Sequence, residues 1–312
     1  MTFLKSYHPT RRAVCRWSFL AALGAAGPGA LTARGQAQGP SLRTAMERVY
    51  LDWMQAVSHK DAVRWGAATS RYRQMCLRNQ VVSLKQPWPQ AVFRSFFRAP
   101  QIGRLRFVDA SAAGPVGRLV YFGQVDFGFV DGEVTPENPL MLYFLKEDGG
   151  WKFNTLQYVN LSGDEALKRD IRAGGKEWLN RPDFAMDPRP PAMPKPCPEP
   201  YQVATISVLA NGCRVTVEVN DGLHQETVEN TSADHVIIGG LRKGANKVTV
   251  YPLPSAIGQN GPSDLRIRVM AKTGNPQAPH ALLLNWKIPP APWKSSYELS
   301  VFLKSAYSVG GP

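Results

Sequence analysis

The proline-rich segment from residue 183 to residue 200 constrains the fold of this chain more than any other feature. It reads DFAMDPRPPAMPKPCPEP and contains seven prolines. Proline has a fixed φ and no backbone N–H, so such a segment continues neither a helix nor a central strand. We therefore predict a stiff, extended linker between a first domain over residues 41–182 and a second domain over residues 201–312.

Before the linker, the sequence predicts helices followed by strands. Apolar residues recur at helical spacing from Leu42 to Ala56, and a second helix is expected from Asp61, a good N-cap, to about Asn79. A third, shorter helix should follow Pro89. Apolar residues with the period of a strand occupy four later segments: residues 103–110, 117–131, 139–147 and 151–161. These segments predict a meander of antiparallel strands.

After the linker, the sequence contains strand patterns alone. About eight short strands at intervals of ~8 to 12 residues are typical of a β-sandwich. The expected fold class is therefore α+β, with three helices on a curved antiparallel sheet in the first domain and an all-β sandwich in the second.

Two short motifs and the order of elements point to a family for the first domain. The motifs are Ser58-His59-Lys60-Asp61-Ala62 and Gly149-Gly150-Trp151-Lys152-Phe153. With them, the domain resembles the nuclear transport factor 2-like superfamily, which includes SnoaL-like cyclases and ketosteroid isomerases. The resemblance implies a cone-shaped domain with a pocket at its open end. It also implies that this pocket contains an acidic general base and a tyrosine.

Two motifs of the second domain carry a further resemblance. The segments from Val217 to Gly222 and from Gly240 to Val250 look like strands of jelly-roll and immunoglobulin-like modules. Such modules are appended to bacterial surface and carbohydrate-active proteins. The resemblance implies an accessory domain and leaves its ligand open.

Residues 1–37 have the pattern of an export signal. Basic residues without acidic ones precede an apolar run from Trp17 to Ala26, which Gly27-Pro28-Gly29 ends. Cleavage is expected after Ala37. The run is shorter than the ~20 residues of a membrane span, and no later stretch reaches that length, so no transmembrane span is expected after cleavage.

The route of export stays open. The segment from Thr10 to Val14 resembles a twin-arginine signal, and an ordinary secretory signal with adjacent arginines is the alternative. Both routes predict a periplasmic or extracellular protein.

An acidic candidate lies on the second predicted strand. Asp126 shares one strand face with Phe122 and Gln124, because alternate residues point to the same side. If that face is concave, burial would raise the pKa of Asp126 toward the value that a general base needs. If it is the outer face, the carboxylate is solvated.

The candidate ligand-binding residues are aromatic or polar side chains near the expected pocket and on the second domain. They are Tyr50, Trp53, Gln124, Tyr143, Tyr158 and Trp293. The three tyrosines are the candidate partners of Asp126. Trp293 follows a proline-rich turn, where an exposed indole would stack on a sugar ring.

Basic residues are concentrated in the helical half of the first domain. Cleavage of the signal removes five of the 37 basic and none of the 24 acidic residues, which leaves a net charge of about +8. Arg64, Arg71 and Arg78 recur every seven residues, so we expect them to line one stripe of the second helix and to attract anions. An anionic envelope component is then a candidate partner, and a solvated helix face is the alternative.

Several other classes of site and partner are not expected. Nucleic acid is disfavoured because the aromatic residues fall on core positions. The histidines do not stand at metal-ligand spacing, so neither a metal site nor a cofactor is predicted.

An exported protein permits disulfides, and Cys197 with Cys213 is the expected pair, whereas Cys76 falls on an apolar helix face.

These features favour an exported, non-catalytic binding protein of the bacterial cell envelope or periplasm, with a pocket for a small molecule or a glycan. One alternative is an isomerase or lyase that uses Asp126 as its general base. Another is a scaffold whose domains dock other proteins. A homodimer is compatible with the cone-type resemblance, since such domains often dimerise through their sheets.

Overall fold

The structure, a computed structural model, describes residues 14–15, 39–94, 99–127, 136–161, 163–182, 184–254, 264–275, 277–289 and 292–307. Helix and strand are mixed, with 44% strand and 24% helix. The chain forms two compact units. Of the described residues, the first unit holds 14–15, 39–74 and 93–193, and the second holds 75–92 and 194–307.

The first unit combines helices with a five-stranded antiparallel sheet of order β1-β5-β4-β3-β2. Its strands are β1 (Val14–Cys15), β2 (Arg106–Ala113), β3 (Val116–Gln124), β4 (Glu137–Glu147) and β5 (Gly150–Val159). Its helices are α1 (Gly39–His59), α2 (Ala62–Ala68) and α4 (Glu165–Arg172), and it includes the start of α3 (Arg71–Ser83). Short 3₁₀ turns span Ile102–Arg104 and Glu177–Asn180. β1 lies within the predicted export signal.

The core of the first unit lies where α1 packs on the sheet. Met46, Tyr50 and Ala56 have no exposed surface, and they follow the helical spacing of the sequence. β3 is buried along nearly its whole length, as expected of a central strand with covered faces. The predicted strand over 117–131 ends at Gln124, and its residues 128–131 lie outside the described part of the chain.

The predicted second helix is two helices. Asp61 caps α2 by accepting the backbone N–H groups of Val63 and Arg64 at 3.1 and 3.0 Å. The helix then stops, because Thr69 is extended and the Ser70 N–H donates to the carbonyl of Phe153 on β5 at 2.8 Å. A tertiary backbone contact therefore overrides a continuous apolar period. The predicted third helix is the 3₁₀ turn Gln90–Arg94.

The second unit is built on a six-stranded antiparallel sheet. Its strands are β6 (Ala204–Val219), β7 (His224–Val236), β8 (Gly244–Pro254), β9 (Asp264–Lys272), β10 (His280–Lys287) and β11 (Tyr297–Leu303). The order is β10-β9-β6-β8-β11, with β7 on the other side of β6. β6 pairs with β9 through its first half, with β8 through its second half, and with β7 through both. Alternate β6 residues are buried, and they form the centre of the core.

Residues 75–92 belong to this second unit together with the end of the proline-rich segment. No helix or strand occurs in residues 184–200. The buried Asn79 fixes that segment, since its Nδ2 donates to the Lys195 carbonyl at 2.8 Å and its Oδ1 accepts the Cys197 N–H at 2.9 Å. The Ser83 hydroxyl accepts the Gly239 N–H at 2.7 Å.

The predicted disulfide between Cys197 and Cys213 is wrong. Cys197 and Cys213 are both free thiols. Cys197 is buried beside Asn79, where its thiol donates to the Asn79 carbonyl at 3.4 Å. Cys213 is buried on β6 opposite Pro254 of β8. Proximity in the sequence to the start of the second domain did not bring the two side chains together.

The resemblance to the nuclear transport factor 2-like superfamily is not upheld. Strand predominates over helix, one antiparallel sheet is nearly closed, and a cone-shaped domain is not evident. The motifs behind the resemblance specify local geometry that many folds share. Asp61 is a helix cap, and Gly149 takes a φ of 79° in a hairpin turn.

The likeness of the second domain to jelly-roll and immunoglobulin-like modules is corrected for the same reason. Asn220, Asp221 and Gly222 take φ values of 51°, 62° and 75°, so the motif encodes a turn. What the structure supports is a mixed α and β chain with about four helices and two antiparallel sheets. None of the helices in the described ranges has the length and apolar character that a membrane crossing demands.

Candidate functional site

A cleft of about 300 Å³ opens on the first unit beside α1, α2 and β5. Its lining combines three charged side chains with an indole and small apolar groups. The residues are Val49, Asp52, Arg64, Ala67, Ala68, Trp151 and Lys152. The cleft therefore offers both charge and an apolar surface to a ligand.

Two cations from different elements line this cleft. Arg64 projects from α2, and its Nη2 donates to the Gln55 side-chain oxygen on α1 at 3.1 Å. Lys152 projects from β5, and its Nζ donates to the carbonyl of Ala67 at 2.6 Å. Each contact uses one donor and leaves further N–H groups for a ligand, since an ammonium has three and a guanidinium five. The two cations are thus positioned by neutral oxygens.

The apolar side of the cleft depends on a glycine. Gly117 on β3 faces the half-buried Trp151. A Cβ at this position would collide with the Met46 methyl and lie 2.9 Å from the Trp151 ring. The absence of a side chain at Gly117 therefore creates the space in which the indole lies against the sheet. In the sequence, Trp151 and Lys152 fit the entry to a strand, and that pattern gives no sign of their place in the cleft.

The third charge of the cleft is Asp52, an exposed residue on α1. It lies three residues before Gln55, so both side chains lie on neighbouring turns of one helix face. A carboxylate beside two cations reduces the net charge of the cleft to one positive unit. This balance disfavours ligands with several negative charges.

Asp126 lies outside this cleft. It is exposed, in the irregular segment that follows β3, and Gln124 is exposed at the end of that strand. The hypothesis of a general base required a desolvated carboxylate. An exposed position does not provide that desolvation.

Tyr50 and Trp53 are core residues of the first unit. The Tyr50 hydroxyl donates to the Pro100 carbonyl at 2.9 Å, and burial raises the pKa of Tyr50. Its ring stacks on Trp53 with centroids 5.7 Å apart, and both rings contact Phe153. Side chains packed in this way stabilise the contact of α1 with the sheet and leave no surface for a ligand.

The other two predicted tyrosines are partly buried in the same unit. The Tyr143 hydroxyl donates to the Gln157 side chain at 3.0 Å, and Asn138 donates to the Tyr158 hydroxyl at 2.5 Å. The Tyr158 ring meets Phe127 edge-on at 5.4 Å. The structure does not bring either tyrosine into the cleft.

Trp293 lies in the second unit, where it is partly buried against the core. Trp286 and Tyr297 pack nearby with ring centroids 5.2 Å apart and a tilt of 52°. The tilt differs from the flat platform on which a sugar ring stacks. The Tyr297 hydroxyl also accepts the Lys294 N–H at 3.1 Å.

The predicted basic stripe is interrupted. Arg64 lies on α2, whereas Arg71 and Arg78 lie on α3. The Arg71 guanidinium pairs with Asp148 at 2.5 Å, and its backbone N–H donates to Glu147. The Arg78 guanidinium donates to the Cys197 carbonyl at 3.3 Å. Of the three arginines, Arg64 is the one that lines the cleft.

A polar cluster on α1 was also missed. The Glu47 carboxylate accepts from Arg43 at 2.8 Å and from the Tyr121 hydroxyl at 2.6 Å, and the Arg43 guanidinium covers the Phe107 ring at 4.0 Å. Burial raises the pKa of Tyr121, so the phenol stays protonated and donates. The spacing of Arg43 and Glu47, four residues apart on a helix, was the signal available in the sequence.

Neither a metal site among the described residues nor a match to a known protein indicates the function of this chain. Within the described ranges, no group of three or more His, Cys, Asp or Glu side chains is arranged to hold a metal ion. Comparisons with protein-family models, curated proteins and solved structures find no match. Functional inference therefore rests on the geometry of the cleft.

Proposed function

We propose that this chain is an exported binding protein of the cell envelope that holds a small, singly charged organic anion in the cleft of its first unit. The observation that carries the proposal is the pair of cations, Arg64 and Lys152, which line one cleft beside Trp151. Charge-assisted hydrogen bonds from these groups suit a carboxylate, and the indole face suits a flat apolar group.

The dimensions of the cleft restrict the size of the ligand. A volume of about 300 Å³ lies at the lower end of the range for small-molecule sites. A ring with one carboxylate fits this range, whereas a long oligosaccharide does not. Asp52 adds a repulsive element against polyanions such as free phosphates.

The lining favours binding over catalysis. It contains neither a hydroxyl or thiol nucleophile nor a histidine among the described residues. Its carboxylate, Asp52, is exposed on α1. The export signal over residues 1–37 supports a location outside the cytoplasm and remains part of the proposal.

Thermal shift with matched probes tests this proposal. Benzoate should raise the melting temperature in a concentration-dependent way, while the neutral isostere benzamide and inorganic phosphate should not. Removing a charged hydrogen-bond partner costs about 1.5–3 kcal/mol, so Arg64→Gln or Lys152→Gln should weaken benzoate binding about tenfold or more.

Lys243→Gln is the matched control, because Lys243 is exposed in the second unit. It should leave the benzoate response unchanged. Equal shifts with benzoate and benzamide, or an undiminished response in the Arg64→Gln and Lys152→Gln variants, would remove the cleft as the binding site.

A further inference from the structure

Strand β7 bends back on itself at one side of the second unit. The Glu226 Oε1 and His235 Nδ1 atoms lie 3.6 Å apart, although nine residues separate them on the strand. An extended strand of that length would span about 30 Å. The bend is located at Asn230, with a φ of 49°, and opposite it at Gly212 of β6, with a φ of 67°.

The bend brings three titratable side chains together in an apolar setting. His224 and Glu226 are 1% and 6% exposed. Their pairing partners on β6, Val219 and Val217, are apolar, and His235 pairs with Ile206. Among the described residues, the charged or titratable group that acts on the cluster besides its own three members is Asp234.

The hydrogen bonds of His224 define its neutral form. Its Nδ1 accepts the Ile238 N–H at 3.3 Å, so the proton of the neutral ring is on Nε2. That Nε2 is buried and has no hydrogen-bond partner in the described part of the chain. Protonation of Nδ1 would set two donors, the ring N–H and the Ile238 N–H, against each other. Acid therefore breaks this contact directly.

The ionisation of the three groups is shifted in opposite directions. Burial and, to a smaller extent, the nearby His235 lower the pKa of His224 to about 3. Burial also lowers the pKa of His235, against the opposing effect of Asp234. Burial raises the pKa of Glu226 to about 7. In the folded state, each group is held toward its neutral form.

We propose that His224, Glu226 and His235 form a latch that keeps the two halves of β7 together near neutral pH and opens this side of the second unit in acid. The proposal is independent of the cleft in the first unit. It assigns a regulatory role to His224, Glu226 and His235.

The histidine and glutamate contributions to stability depend on pH in opposite directions. Because the folded pKa of His224 is depressed, its contribution is complete above its ordinary pKa of 6.5 and is lost as the pH falls toward about 3. Because the folded pKa of Glu226 is raised, its contribution is complete below 4.5 and is lost as the pH rises through about 7. The two effects offset each other between about pH 8 and pH 6, and the histidine loss dominates below about pH 5.

Hydrogen exchange of the amides in residues 224–236, corrected for intrinsic rates, tests the latch. Wild-type protection should stay level from about pH 8 to pH 6 and fall below about pH 5. In Glu226→Gln the opposing carboxyl is gone, so protection should fall about 30-fold or more from pH 8 to pH 5, through His224 with His235 acting in the same direction. In the double variant His224→Asn with His235→Asn, protection should rise about 70-fold over the same interval through Glu226.

Asparagine at position 224 retains an acceptor for the Ile238 N–H. Glutamine at position 226 is nearly isosteric with glutamate, so at least Glu226→Gln is expected to fold. The control is His59→Asn, which changes an exposed histidine of the first unit and should match the wild type. Equal pH profiles in the wild type and Glu226→Gln would overturn the proposal, as would a folded double variant that still loses protection in acid.

Discussion

Asn79 offers the most direct test of how the second unit is held together. It is 4% exposed, and its amide bonds to the backbone at both Lys195 and Cys197. Asn79→Ala leaves the buried Cys197 N–H without its acceptor and removes the donor to the Lys195 carbonyl, which belongs to an exposed residue. A stranded buried group costs about 1–3 kcal/mol, so we expect the free energy of unfolding to fall by about 1–3 kcal/mol.

Urea unfolding followed by tryptophan fluorescence measures this loss. The midpoint should decrease while the slope against urea stays constant, since the surface exposed on unfolding is unchanged. Asn180→Ala is the control, because Asn180 is exposed and its single contact with Glu177 is 3.5 Å long. It should stay within about 0.5 kcal/mol of the wild type. A loss below about 1 kcal/mol for Asn79→Ala would refute the role of this amide.

Three further predictions follow from the described contacts. Gly117→Val should overpack the space filled by Trp151, reduce stability by about 1–3 kcal/mol and weaken benzoate binding, measured by urea unfolding and calorimetry. Tyr50→Phe removes one buried hydrogen bond and should cost about 0.5–1.5 kcal/mol in the same unfolding assay, and a neutral result would contradict the Pro100 contact. Because Cys197 and Cys213 are free, a reductant should leave the melting temperature unchanged, whereas a drop of several degrees would reveal a disulfide.

Local signals in the sequence predicted local structure well. Asp61 caps a helix because its short carboxylate reaches the N–H groups of the first turn. Asp148 and Gly149 both take positive φ in the β4–β5 turn, a conformation that Asp-Gly pairs favour. The apolar spacing of α1 placed Met46 and Ala56 in a core. In each case the determining interaction lies within a few residues of the signal.

Interactions between distant segments were beyond the reach of such patterns. The helix break at Ser70 depends on a backbone contact with Phe153, and the burial of Cys197 depends on Asn79. Neither partner is adjacent in the sequence, so neither could be read from period or propensity. The prediction of one continuous arginine stripe is wrong for the same reason. It required a single helix, and a tertiary contact divides that helix into α2 and α3.

The candidate site could not be predicted from the sequence either, because distant segments form it. Lys152 and Trp151 fit the pattern of a strand entry, and nothing in that pattern shows that they face Arg64. Only the packing of α2 beside β5 brings the two cations to one cleft. Tyr50 and Trp53, which were predicted to bind a ligand, are buried in the core instead, because large rings on the apolar face of a helix bury the most surface.

The central claim is that an organic monoanion binds beside Trp151. The most direct measurement follows the indole N–H resonances of the tryptophans during a benzoate titration, with the Trp151 signal assigned from Trp151→Phe. The account predicts that the Trp151 resonance shifts and saturates, and that this shift disappears in the double variant Arg64→Gln with Lys152→Gln. A titration that moves other tryptophan signals and leaves Trp151 in place would contradict it.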